Sequence, residues 1–540
     1  MALHSSPNLS APPVTLPPHR PWLVPALILG VWLSLFLLRL WAPFNLLDKD
    51  QDLTASYVLD AVANGNWLCP VDDQGEICSK PPLHTWLAGL VALAGGGRVT
   101  ETALFLPGAL ALLLVALLAW RWGDRRFGAP AGLFAALALV ASPAGAKMVH
   151  LARTDPVFTA AVFLAALAAF RAWETGRGWA WFWLAAAAAT LTKGPLGVVL
   201  GGAGLLAVVW EGRRSGPPTS DTSSDSPAAN GPGASSGMVA GIALYLLLTG
   251  GWFLLAYGFR GDALLDKMMV RELWGHVATV GADRHTVPGE GLLKPIGHFL
   301  LRFLPWSLLA LAGFWRVLRR PAAAAGERRL ERFLFCQFWA GMLLFSLTSH
   351  QRPDLEFPLL PAAALLAGRE LRLLAARVAP VRLAWAGALV WLAALSGLGG
   401  YYYRVEAATA PVRATAAVAQ LARATAERLP PGTVIHYVDA LFGLQYYRQE
   451  LPDRLTVAEA ARLLRSPRPV VLAVRRPERF AAALSAGTPA PVPLIVWPLP
   501  QGSHTTLVGN AAAAQLWRAS MPPNPAAQPG APGRSDKKKP

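Results

Sequence analysis

Apolar residues fill nearly every position from Leu23 to Trp41, and a helix of that length crosses the hydrocarbon core of a bilayer. No small-residue cleavage site follows, so the segment reads as a retained anchor rather than a signal peptide. Comparable runs recur at roughly 99–122, 128–147, 155–172, 178–192, 195–211, 237–257, 298–318, 333–348, 355–368 and 382–400. The pattern predicts about eleven transmembrane helices, and Ala-rich stretches leave room for two more. "PPLHTWLAGLVALAG" reads as a helix along the interface. Beyond Tyr401 the period changes. "APVRATAAVAQLARATAERL" follows a helical repeat and "PERFAAALSA" reads as a helix, while "GTVIHYV", "RPVVLAVRR" and "PVPLIVWPL" read as strands. These predict a small α/β domain over 401–518.

Three polar stretches punctuate this order. The Pro-rich residues 1–21 read as a disordered cytoplasmic tail, and 519–540, ending "GRSDKKKP", as a second disordered tail. The Ser/Pro/Gly-rich 212–236 reads as a disordered cytoplasmic linker. That leaves 22–400 as the membrane domain, with outer loops at 45–85 and 258–297.

Composition supports this reading: 54% of the 540 residues are hydrophobic and 15% are charged, fewer charges than a soluble domain carries. The net charge of +17 is concentrated in arginine clusters beside apolar runs, at Arg125-Arg126, Arg213-Arg214, Arg316 to Arg320, Arg328 to Arg332 and Arg369 to Arg382. Clusters so placed mark cytoplasmic loops and meet anionic lipid headgroups. They argue against a nucleic-acid partner. The topology puts the N-terminus in the cytoplasm and the C-terminal domain outside the plasma (inner) membrane.

Ionisable groups at span ends are costly and therefore informative. Asp48, Asp50 and Asp52 follow the first span, and Lys80 opens "KPPLHTW". Arg153 and Asp155 sit in "HLARTDPVF", Lys193 in "LTKGPLG", His285 in "GADRHTVP", and Gln351 and Arg352 in "SLTSHQRPDLEFPLLP". Singly, each has an ordinary role, since a lysine at a span end snorkels and an aspartate caps a helix. Together they gather on the outer face, whereas the inner face carries arginines. Cations beside carboxylates at a bilayer surface suit a substrate with a lipid tail and a phosphate head. The cations stabilise the phosphate as a leaving group, and a carboxylate accepts the proton of an attacking hydroxyl. That chemistry is sugar transfer from a polyprenyl-phosphate donor. The other class this pattern allows is a transporter or flippase of lipid-linked sugars, which would bury its charges near the bilayer midplane. Few charges lie there.

These residues resemble the GT-C membrane glycosyltransferases of the protein-O-mannosyltransferase and aminoarabinose-transferase type. That family's first outer loop carries an acidic pair, then Gly-Asp-Trp, a Pro, and Lys-Pro-Pro-Leu with an aromatic. Here Asp50-Gln51 precedes "GNW" at Gly65 to Trp67, followed by Pro70, Lys80-Pro81-Pro82-Leu83 and Trp86. "ARTDPVF" and "LTKGPLG" match later signatures, and "FSLTSHQRPDLEFPLLPAAALLAG" matches the last. The similarity spans about 22–370. It implies an α-helical polytopic fold of 11–13 transmembrane helices, acting on the outer face toward lipid A, protein or glycan.

By this resemblance Asp50 is the base or acceptor-positioning carboxylate, with Asp48 and Asp52 open as alternatives. Asp155 shapes the site as a second catalytic carboxylate. Lys80 contacts the donor phosphate, together with Arg153, Lys193, His285, Gln351 and Arg352. The pattern also departs from the family. Gln51 replaces a Glu, Ser79 replaces the Glu before Lys-Pro-Pro, His276 stands where an Arg is common, and Gln351 and Leu355 replace a Lys and a Tyr. With Ser79 in place, no divalent metal is expected to be required and no metal ligand set is assigned. Cys69 and Cys78 flank the turn-forming "DDQG" and are expected to close a hairpin disulfide in an oxidising compartment. Cys336 lies within a span and reads as core.

Overall fold

The structure, a computed structural model, describes residues 22–48, 51–212, 232–274, 291–348, 351–430, 432–440, 442–498 and 504–519. The described residues fall into two compact units. One takes those within Met1–Pro43, Leu53–Asp72 and Glu76–Ala407, the other those within Phe44–Asp52, Asp73–Gly75 and Ala408–Pro540.

The first unit is helical. Among the described residues six helices are long and apolar enough to cross a membrane: Leu23–Trp41, Glu101–Phe127, Asp155–Thr175, Gly237–Arg260, Ala325–Leu347 and Pro380–Glu406. This is a multi-pass membrane protein. Local chemistry sets several of the helix ends. Thr100 caps the second of these helices by accepting from the Ala103 amide, and Pro156 occupies the first turn of the third, where its missing N–H costs nothing. Small residues let helices touch. At Gly132 a Cβ would lie 1.9 Å from the Trp120 carbonyl oxygen, so only glycine permits this approach.

Other expected spans are broken. In place of a continuous 128–147 there are Ala131–Val140 and Pro143–His150, bent by 54°, and in place of 298–318 there are Lys294–Arg302 and Trp306–Arg319, bent by 119°. Pro143 and Pro305 stand at these breaks. The stretch 195–211 divides into Leu196–Gly202, a tighter turn Ala203–Leu205, and Leu206–Gly212. Backbone groups freed in this stretch find a side-chain partner. The Gln337 amide donates to the Leu200 carbonyl at 2.5 Å and accepts from the Gly204 N–H at 2.9 Å, as a dry interior demands.

Three boundaries differ from the sequence expectation. Helix Pro232–Arg260 begins inside the stretch read as linker, and residues 213–231 of that stretch lie outside the description. The stretch expected as the outer loop 258–297 contains a short helix, Asp262–Leu265, and wide turns over Asp266–Trp274. The apolar helix that starts at Pro380 runs on to Glu406, so Tyr401 lies within it.

The arginine-rich helix ends are paired with acids, which the sequence reading overlooked. Arg126 binds Glu174, Arg332 binds Glu211, Arg369 binds Glu331, and Arg316 donates to Glu370 at 2.9 Å. Arg332 and Arg369 are buried, and a buried guanidinium requires such a partner.

The second unit holds a four-stranded sheet in the order β1-β2-β4-β3, with β1 at Ile435–Tyr437, β2 at Val471–Val474, β3 at Val492–Pro498 and β4 at His504–Gly509. β1 and β2 are parallel, and the other pairings are antiparallel. Every β2 residue is buried, because both faces of the sheet are covered. Val471 and Ala473 pack with Val418, Leu421 and Trp517 of helices Ala410–Arg428 and Ala511–Ala519. Leu472 and Val474 pack with Ala460, Leu464 and Phe480. The period-2 alternation therefore sorts two cores. The sequence reading missed β4.

Candidate active site

The motifs between Gly65 and Trp86 form one scaffold in the first unit. Lys80-Pro81-Pro82 leads into helix Leu83–Ala94, with Pro82 flanking its first residue. The Trp86 indole donates to the Trp67 carbonyl at 2.7 Å, so "GNW" is tied to "KPPLHTW". Gly89 leaves room for this, since a Cβ there would meet the Trp67 ring at 2.7 Å. Asp60, fully buried, accepts from the amides of Asn64 (2.8 Å) and Asn66 (3.1 Å) and from the Val71 N–H (2.8 Å). The Trp252 indole and Arg260 hold the carbonyls of Leu68 and Cys69 at 3.0 and 2.9 Å. The Tyr57 hydroxyl accepts from the Ser79 N–H at 3.3 Å, one residue before Lys80.

The hairpin that returns the chain to Lys80 is closed by hydrogen bonds from the Asp72 N–H to the Glu76 carbonyl and from the Cys78 N–H to the Pro70 carbonyl, both 2.9 Å. Cys69 and Cys78 face each other across it with sulfurs 3.8 Å apart. They stand as two thiols rather than the expected disulfide. The contact with Cys78, with the nearby Arg260, lowers the Cys69 pKa, while the same contact and burial raise that of Cys78. Cys69 is therefore the more readily ionised of the two. On exposure of the full chain to a disulfide oxidant, alkylation under denaturing, non-reducing conditions is expected to label Cys336 alone, and Cys69→Ser is expected to destabilise the oxidised protein by about 2–3 kcal/mol. Persistent labelling of Cys69 and Cys78 would show that the bond does not form.

The charged cluster is built from the ends of several helices. Asp155 opens helix Asp155–Thr175 and is buried. Lys193 closes helix Trp179–Lys193, and Gly194, at φ +94°, makes a turn that L side chains resist before Pro195 starts the next helix. The "TKGP" motif is thus a helix stop and restart that leaves the lysine at the corner. Lys193 is ion-paired with Asp155 and lies 5.9 Å from the centre of the Phe158 ring. Arg153 donates to Asp354 at 2.9 Å, and Lys147 donates to the other oxygen of the same carboxylate at 2.6 Å. Glu356, also buried, meets His298 at 3.1 Å. His84 is 1% exposed, and both its ring nitrogens lack a partner among the described residues.

Of the residues expected from sequence, the structure brings together Arg153, Asp155 and Lys193. Lys80 stands at the start of helix Leu83–Ala94. The Gln351 amide donates to the Ser346 carbonyl at 3.1 Å, and Arg352 is exposed. Asp48 and Asp52 are described with the second unit. Asp50 and His285 lie outside the described residues. Sequence reasoning missed Lys147, Asp354, Glu356, His298 and Asp60. A signal existed for two of them, because "RPDLEFP" sets two acids against the start of an apolar run.

Residues 79–217 match the dolichyl-phosphate-mannose-protein mannosyltransferase family. Among solved structures the chain is similar to ArnT from Cupriavidus metallidurans bound to undecaprenyl phosphate, at TM-score 0.65 and 18% identity over 91% of this chain and 98% of that one. The apo state of the same protein gives 0.63 and 17% over 92% and 99%. The chain shares the fold of that protein. No curated protein matches the sequence itself. The fold likeness runs over nine-tenths of the chain, and the family match takes in Lys80, Arg153, Asp155 and Lys193.

Proposed function

We propose that this chain is an integral-membrane glycosyltransferase that moves a sugar from a polyprenyl-phosphate donor to an acceptor on the outer face of the plasma membrane. The observation that carries the reading is the convergence of Arg153, Asp155 and Lys193 within the stretch that matches a mannosyltransferase family, on a fold shared with a protein solved with undecaprenyl phosphate. In the reaction, an acceptor oxygen bonds the anomeric carbon from the face opposite the phosphate. The bond from that carbon to the phosphate oxygen breaks, its electron pair stays on the leaving polyprenyl phosphate, and the acceptor proton passes to a carboxylate. Lys80 and Arg153 take up the charge growing on the leaving group. Lys193 neutralises Asp155, so Asp155 acts by holding this end of the site in place, which leaves the loop carboxylate Asp50, with Asp48 and Asp52 as alternatives, as the base. A phosphate acceptor, as on lipid A, would need no base.

The test compares envelope lipids, glycans and proteins by mass spectrometry in wild type, a deletion strain and Asp50→Asn at matched expression. Loss of one sugar mass from one acceptor in both mutants is expected. Unchanged envelopes in the deletion strain would sink the proposal. Because Ser79 offers no carboxylate beside Lys80, chelation with EDTA is expected to leave the transfer rate in proteoliposomes unchanged.

A further inference from the structure

Asp354 does more than fill a place in the cluster. Its two oxygens are divided between two cations, Oδ1 to Lys147 Nζ at 2.6 Å and Oδ2 to Arg153 Nη1 at 2.9 Å. The carboxylate is buried, while the cations keep about a fifth of their side chains exposed, 20% for Lys147 and 18% for Arg153. Two cations converging on one small anion through separate oxygens is also how a phosphate monoester is held. Among the described residues, Lys147, Arg153, Lys193 and Arg302 act within one electrostatic neighbourhood with Asp155, Asp354 and Glu356. Lys193 is already committed to Asp155. Lys147 and Arg153 both turn to the one Asp354 carboxylate.

Resting on the polyprenyl-phosphate reading, we infer that Asp354 is an exchangeable counterion: it occupies Lys147 and Arg153 when no donor is bound and competes with the lipid phosphate for them during release. Lys147 and Arg153 thereby form a phosphate-receiving pair, and Asp354 is a positioning residue that sets how tightly the product is retained. No bond is made or broken by Asp354. The donor is a phosphodiester and the released polyprenyl phosphate a monoester carrying more negative charge, so the competition bears hardest on the product. A purely structural ion pair makes the opposite prediction for the same substitution, which gives the inference its test.

The experiment measures undecaprenyl phosphate binding to the full chain in nanodiscs, together with single- and multiple-turnover transfer. Asp354→Asn keeps the volume and removes the charge. It is expected to bind undecaprenyl phosphate about 10-fold more tightly and to slow multiple turnover while sparing the first. Lys147→Met is expected to bind about 10-fold more weakly, and the Lys147→Met/Asp354→Asn pair to return toward wild type. Inorganic phosphate at millimolar concentration is expected to compete. Phosphatidic acid in the same discs separates the sources, and its binding in place of undecaprenyl phosphate would overturn the assignment. Thermal unfolding of each variant reports on folding. A folded Asp354→Asn that binds as wild type or more weakly overturns the inference alone. A wild-type chain that does not bind undecaprenyl phosphate removes the glycosyltransferase reading along with it.

Discussion

Asp155→Asn is expected to lower sugar transfer by roughly 10²–10³-fold. The carboxylate is buried and ion-paired with Lys193, which ends the neighbouring helix. Removing one member of a buried pair leaves the other charge without compensation, at a cost of about 3–5 kcal/mol. At about 1.4 kcal/mol per decade, that cost shows in rate wherever the corner formed by Lys193 and Gly194 must stay in place for transfer. Radiolabelled transfer in proteoliposomes is the measurement, with the unfolding midpoint alongside. Asp155→Leu combined with Lys193→Leu removes both charges and is expected to regain stability without regaining transfer. Wild-type rates for Asp155→Asn would remove Asp155 from the site.

A comparable loss, in stability, is expected for Glu406→Gln. Arg39, at the end of the first helix, is fully buried and donates to Glu406 at 3.4 Å and to the Pro43 carbonyl at 2.7 Å. Its guanidinium also meets His150 Nδ1 at 3.1 Å, while His150 Nε2 meets Glu406 at 2.6 Å. Tyr402 stacks on the His150 ring with centroids 4.7 Å apart. Three helices meet at this knot, and neutralising Glu406 strands the guanidinium. A loss of about 3–5 kcal/mol is expected in denaturant or thermal unfolding of the detergent-solubilised chain. Tyr402→Phe keeps the ring and is expected to change little. An unfolding curve for Glu406→Gln that overlays wild type would show that the pair contributes no net stability.

How far the sequence carried depended on the kind of signal. Long apolar runs carry their own evidence, and the expected spans fall on helices, although breaks at Pro143 and Pro305 were invisible to hydropathy. Strands β1, β2 and β3 showed as short runs rich in Val and Ile. β4, "HTTLVG", begins with three polar residues and is recognisable only once β2 and β3 flank it. The site was legible where motif residues are neighbours in sequence, as for Arg153 and Asp155. It was illegible where a partner lies some two hundred residues away, as Asp354 does from Lys147 and Arg153. Asp60 was hidden because it works through amides of its own loop and carries no motif.

Pro380–Gly400 contains no buried residue, and its one described side-chain bond to another helix runs from the Trp391 indole to the Ser34 hydroxyl at 3.2 Å. Selection therefore sees most of this helix as greasy length, fixed at one end by the Arg39 knot. Its residues are free to drift among Leu, Val, Ala and Trp so long as the segment still reaches across the bilayer. In homologues this is the stretch where alignments should lose register first, while Arg39, His150 and Glu406 change only together.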